Sequence, residues 1–182
     1  MRLLVVAATV IELEWVEGVE TLACGVGPVE AAIATAQRLA QDPPDAVLHV
    51  GIAGARRGSG LTVGDIVVGS EARYGDLRAA IPSLVRVAEP DPDLLGRVRA
   101  LLPEAPCEPI ATTAAVGAGE ASCRLEAMEG FAVLRAAARA GVPAVEIRAI
   151  SNEIEEPDRS KWDFAAGLAA LAQAGRRVVA GV

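Results

Sequence analysis

Aromatic side chains are scarce in this chain: two tryptophans, two phenylalanines and one tyrosine make up 3% of its 182 residues, against 52% hydrophobic residues overall. A core made from it must close by packing alanine, valine, leucine and isoleucine on one another. A single histidine, His49, excludes any site that needs two imidazoles, such as the zinc motif H-E-x-x-H. A single lysine, Lys161, excludes a P-loop and confines Schiff-base chemistry to that one position. Cys24, Cys107 and Cys123 are odd in number and lie far apart without C-x-x-C, which indicates neither a disulfide framework nor a zinc site. Reduced thiols in the cytoplasm are the plain reading.

No stretch approaches the ~18 uninterrupted apolar residues of a membrane helix. The run Leu3 to Ala8 is too short to span and is soon followed by Glu12 and Glu14, so it reads as a buried strand and not as a signal peptide. The basic residues are scattered in ones and twos, and the net charge is −7, which argues against nucleic acid as a partner. Repeats and low-complexity linkers are missing too, so one domain covering residues 1–182 is expected.

What is present has the pattern of an α/β protein. Leu3 to Ala8 and Ala46 to Val50 are short continuous apolar runs, the mark of strands buried on both faces. Between them, GVGPVEAAIATAQRLAQ gives a glycine-bounded turn, a proline near a helix start, and apolar positions at Val29, Ala32, Ile33, Ala36 and Leu39. The second strand runs into the glycine-rich loop GIAGARRGSG. Asp65 to Tyr74 and Pro106 to Thr113 read as further strands, and Asp93 to Leu102 as a helix. A helix from Glu129 through Ala140, then a strand from Ala144 to Ile150, suggests a right-handed parallel crossover. An alanine-rich helix from Phe164 to Val179 ends the chain, with Asp158, Ser160 or Asp163 as its cap.

The standard cofactor motifs are broken. Gly25 and Gly27 match the first two glycines of G-x-G-x-x-G, but Glu30 takes the third position. No G-x-S-x-G exists to partner His49 in a triad, so His49 reads as a satisfied strand histidine. What remains is carboxylate and amide chemistry at strand ends: Glu12 after the first strand, Glu129 before a helix, and Ser151 with Asn152 after the last strand. Each alone fits a cap or a solvated turn. Together, beyond strand ends, they mark where an α/β sheet binds ligands.

These same segments resemble the purine nucleoside phosphorylase and nucleosidase superfamily over most of the chain. The carriers are GVGPVEAA from Gly25, GIAGA from Gly51, GDIVVGSEARYGD from Gly64, EAMEG from Glu126 and EIRAISN from Glu146. The last two are the specific ones, and EIRAISN followed by Pro157, Asp158, Arg159, Trp162 and Asp163 looks most like the branch that hydrolyses futalosine in menaquinone biosynthesis. The resemblance implies a three-layer α/β fold with a twisted mixed sheet flanked by helices, and a homo-oligomer with sites near its interface. It also implies a purine nucleoside and water as substrates, with no cofactor and no metal.

Carried over by position, Glu12 would activate the attacking water and Glu129 would accept hydrogen bonds from the ribose hydroxyls. Met128 would lie against the sugar, Ala53 and Gly54 would pass close to the nucleoside, and Ser151 and Asn152 would close on the base. The superfamily's phosphorylases carry an arginine in the first loop. Here that loop is ATVIELEW, so hydrolysis is expected over phosphorolysis. Adenine-directed relatives have aspartate where this chain has Asn152, which points to hypoxanthine as the released base. The segment Ala111 to Leu125 is shorter than in the family and brings no aromatic residue; Phe131 is the expected substitute. Arg56, Arg57 and Arg159 are candidates, by position only, for a substrate carboxylate. The alternatives are a methylthioadenosine/adenosylhomocysteine nucleosidase and a catalytically silent nucleoside-binding protein.

Overall fold

The computed structural model describes residues 1–79, 81–119 and 122–182. The elements run β1 (Leu3–Ala7), β2 (Glu20–Ala23), α1 (Pro28–Gln41), β3 (Ala46–Ala55), β4 (Ile66–Tyr74), β5 (Val87–Ala88), α2 (Pro92–Leu101), β6 (Cys107–Thr112), β7 (Leu125–Ala127), α3 (Gly130–Ala140), β8 (Ala144–Glu153) and α4 (Phe164–Gly181). Short 3-10 turns occupy Ile11–Leu13 and Arg159–Lys161. Local chemistry sets the helix ends: Asp91 caps α2 by accepting from the Leu94 amide at 2.9 Å, and Asp163 caps α4 by accepting from the Ala166 amide at 2.9 Å.

Five strands pair into a closed ring. β3 is hydrogen-bonded to β8 in parallel and to β7 in antiparallel, β7 to β6 and β6 to β4 in parallel, and β4 returns antiparallel to β8. β1 and β2 extend the sheet outward from β3, and β5 adds to β4. Alternation along the strands divides the core in three. Leu3, Val5, Leu48, Val145 and Ile147 meet α2 and α4 on one face, while Leu4, Val6 and Val47 meet α1 and α3 on the other. Ala53, Val67, Ile110, Leu125, Ala127 and Ile150 fill the ring. This is the expected three-layer α/β architecture with a mixed sheet.

Two expectations change. β8 is antiparallel to β4, which is itself parallel to β6 and, through it, to β7, so α3 joins strands of opposite direction and no parallel crossover forms there. The parallel connection is made instead by α1, whose flanking strands β2 and β3 both pair in parallel with β1. The first five residues of the expected loop GIAGARRGSG are strand to Ala55, because their backbone pairs with Arg148 to Glu153 across a bulge between Ala53 and Gly54. Among the described residues, no helix is long and apolar enough to cross a membrane.

Candidate active site

The site begins where β1 ends. The chain turns at Thr9 and the following 3-10 turn carries Glu12, only 6% exposed. Its Oε2 accepts from the Thr9 amide at 3.0 Å and the Thr9 hydroxyl at 2.8 Å, and its Oε1 accepts from the Ile52 amide at 3.1 Å. Oε1 thus retains acceptor capacity for a water or ligand. From behind, the Trp15 indole N–H donates to the Glu12 carbonyl at 2.7 Å.

A buried charge network lies next to it. Glu146 and Arg148, two residues apart on β8, project from the same face of the strand. Arg148 Nε donates to Glu146 Oε1 at 2.7 Å, Nη1 to the Ile52 carbonyl at 3.4 Å, and both Nη atoms approach Glu129 Oε2 at 3.5 Å. Arg148 Nη2 also meets His49 Nε2, while His49 Nδ1 faces the Val6 carbonyl at 2.9 Å. The pairing assigns roles: Nδ1–H donates to Val6, and the neutral ring accepts from the guanidinium at Nε2. Burial, with the charge of Arg148 beside it, holds the imidazole pKa well below its ordinary value. Gly51 is opposite Arg148 in the β3–β8 register, and a Cβ there would sit 2.1 Å from Nη1, so only glycine admits the guanidinium.

Glu129 precedes α3 and is 4% exposed. Its Oε1 accepts from the Gly27 amide at 3.1 Å. Burial raises its pKa above the usual carboxylate range, against the opposing pull of Arg148. Glu146 is raised likewise, first by burial, and its Oε2 has no hydrogen-bond partner.

Asn152 and Ser151 stand at the end of β8. The Ser151 hydroxyl donates to Asn152 Oδ1 at 2.9 Å, and Asn152 Nδ2 donates to the Glu153 carbonyl at 3.0 Å. The amide is thereby oriented, with one N–H left over. A cavity of about 560 Å³ gathers Glu12, Ala53, Gly54, Met128, Glu129, Ser151 and Asn152 on one wall system. That volume is in the range of pockets that take a drug-sized ligand. Toward solvent it continues along Ile11, Val26, Val116, Trp162, Phe164, Leu168 and Arg159.

Phe131 is not among the lining residues, which corrects the expectation for it. It lies one residue into α3, turned to the core, with its ring 5.1 Å from that of Tyr74. The aromatic residues on the cavity are Trp162 and Phe164, their centroids 5.7 Å apart. Of the short segment 111–125, residues 120–121 lie outside the described residues. Thr113 and Val116 of that segment line the cavity, and Glu126 holds it by accepting from the amides of Gly117 and Gly119. Of the three candidate arginines, Arg57 pairs with Glu153 and Arg56 donates to the Cys123 and Gly119 carbonyls; only Arg159 lines the cavity.

Sequence reasoning assigned no role to Glu146, Arg148, Glu126 or Trp162. A pointer was available for the first two: opposite charges at i and i+2 inside an otherwise apolar strand must face one side of the sheet and must be paired there.

The chain is similar to known proteins over most of its length. The family model described as the phosphorylase superfamily matches residues 15–182, a span that begins just after Glu12. A futalosine hydrolase from Streptomyces coelicolor is 36% identical over 87% of this chain and 77% of its own length. A 5'-methylthioadenosine/S-adenosylhomocysteine nucleosidase from Shewanella oneidensis is 31% identical over 85% of this chain and 78% of its own. The structure of a futalosine hydrolase mutant of Helicobacter pylori superposes with a TM-score of 0.87 over 99% of each chain at 17% identity, which is a likeness of fold.

Proposed function

The chain belongs to the phosphorylase superfamily, among relatives that hydrolyse N-glycosidic bonds, and from that premise we propose that it cleaves futalosine to hypoxanthine and dehypoxanthine futalosine, a step of menaquinone biosynthesis. Breaking the bond to the purine develops positive charge on the sugar, which buried carboxylates stabilise far better than water can. Glu12 takes the proton of the attacking water. Glu129, beside Arg148, accepts from the sugar hydroxyls. Asn152 receives the base.

The observation that carries the choice of substrate is the orientation of Asn152. With one Nδ2 hydrogen given to the Glu153 carbonyl and Oδ1 accepting from Ser151, the amide keeps one N–H donor and one acceptor site on Oδ1, and the N–H is the group offered to the base. Both purines present N7 as an acceptor, but hypoxanthine adds a 6-oxo acceptor where adenine has an amine donor, so an N–H aimed at the 6-position is paired only by hypoxanthine. A donor facing a donor leaves both unpaired, and such mismatches discriminate strongly.

The test is to incubate the protein with futalosine, methylthioadenosine and inosine, with and without phosphate, and to identify the freed base by chromatography. Hypoxanthine from futalosine, independent of phosphate, is the expected result. Adenine freed from methylthioadenosine at a comparable rate would overturn the substrate, and phosphate dependence would overturn hydrolysis. In the same assay Glu12→Gln should lower turnover by roughly 10²- to 10⁴-fold with folding intact; an unchanged rate removes Glu12 from the mechanism.

The reading extends to a cytoplasmic homo-oligomer. Three free thiols support the location. Val10, Ile11, Val26, Val29 and Ile33, all exposed and grouped on the turn after β1, the approach to α1 and the outer side of α1, support the assembly.

A further inference from the structure

Arg159 is the one cation among the described residues that line the cavity, and it forms no ion pair with any of them. The acids around it are committed elsewhere. Glu153 pairs with Arg57, Glu155 accepts from the Arg57 amide, and Glu156 pairs with Lys161. Asp158 is held by the amide and hydroxyl of Ser160 at 3.0 and 2.7 Å, and Asp163 caps α4. The guanidinium rests 5.2 Å from the centre of the Trp162 ring, an arrangement that holds it by cation–π attraction without engaging its N–H fork. Trp162 is in turn anchored, its indole N–H donating to the Glu156 carbonyl at 3.0 Å.

The cavity therefore has two chemically different ends. The inner end holds Glu12, Glu129 and Asn152, which serve the sugar and the base. The outer end is apolar and aromatic, with Trp162, Phe164 and Leu168, and terminates in an exposed, unneutralised arginine. A nucleoside lacking any arm beyond its sugar would leave that end empty. We propose that Arg159 determines specificity by receiving a carboxylate on an aromatic arm that leads out of the cavity from the bound nucleoside, with Trp162 and Phe164 packing the arm. This rests on the reading of the site as a futalosine nucleosidase, since futalosine carries a benzoate.

The experiment compares futalosine with its neutral methyl ester, which keeps the base, sugar and arm and removes only the charge. For the wild type, kcat/KM for the acid exceeds that for the ester by about tenfold or more. Arg159→Gln abolishes that preference, and Arg159→Lys, which keeps the charge without the fork, restores part of it. A general structural role would change both substrates alike and leave their ratio intact. A wild-type ratio near one, or a ratio that Arg159→Gln does not move, overturns the inference while the nucleosidase reading stands. Release of no base from either compound by the wild type overturns the nucleosidase reading and this inference with it.

Discussion

At the scale of single residues the site is governed by what its buried charges lean on. Arg148 is enclosed among Glu146, Glu129 and His49, so its charge is shared between a carboxylate it grips at 2.7 Å and one it only approaches at 3.5 Å. Glu146 bears the burden of burial, with one oxygen unpartnered. Because burial raises its folded pKa above the unfolded value of about 4.3, its favourable contribution is complete below that value and is lost as the pH rises through the raised one. Urea unfolding at several pH values should show the wild type losing stability relative to Glu146→Gln as the pH rises from about 4.3. A difference that stays flat with pH would contradict the assignment. The spacing of Glu146 and Arg148 pointed to a pair on one face of the strand, but the rest of the network was not readable, because their partners His49 and Glu129 come from distant parts of the chain. Glu12, Glu129 and Asn152 were legible, since each interrupts or follows a clear hydrophobic period.

Between elements, the contact that matters most to the site is that of α4 with the turn after β1. Gly175 of α4 faces Trp15, and a Cβ there would lie 2.2 Å from the indole. Trp15 holds the Glu12 carbonyl, so the helix supports the candidate base through one ring. Gly175→Leu should destabilise the fold by about 1–3 kcal/mol through overpacking, and should lower turnover by more than the loss of folded protein explains, measured at a temperature where the variant remains folded. Full specific activity per folded molecule would uncouple α4 from Glu12. The helices were visible in the sequence because each carries a local period and its own caps. β2 and β7 were not. Glu20–Ala23 and Leu125–Ala127 are three or four residues long, and what makes them strands is pairing with β1 and with β3 and β6, a non-local fact. For the same reason β3 and β8 run past their apolar cores, carried to Ala55 and Glu153 by each other's backbones.

For the whole molecule, one group of apolar residues left outside the three cores adjoins the cavity through Ile11 and Val26. Val29 and Ile33 are one turn apart on α1, and Val10, Ile11 and Val26 lie on the neighbouring loops. A surface of this kind is expected to be covered by a second copy. Sedimentation at micromolar concentration should give a dimer or larger species, and the double variant Val29→Glu with Ile33→Glu should shift it to monomer. A wild-type monomer at that concentration would end the proposal. The overall charge of −7 does not itself attract an anionic nucleoside; local cations must overcome it at the mouth.

The placement of the only histidine has a practical consequence. With its imidazole sealed between the Val6 carbonyl and Arg148, and its pKa driven well below the ordinary value, the chain carries no histidine that changes charge near neutrality. The same seclusion makes the ring a spectroscopic probe already in place: one imidazole, one tautomer, one resonance, touching the arginine that touches Glu129. A nuclear magnetic resonance titration would read the filling of the cavity from that lone signal, with no label attached to the site and no other histidine to confuse it.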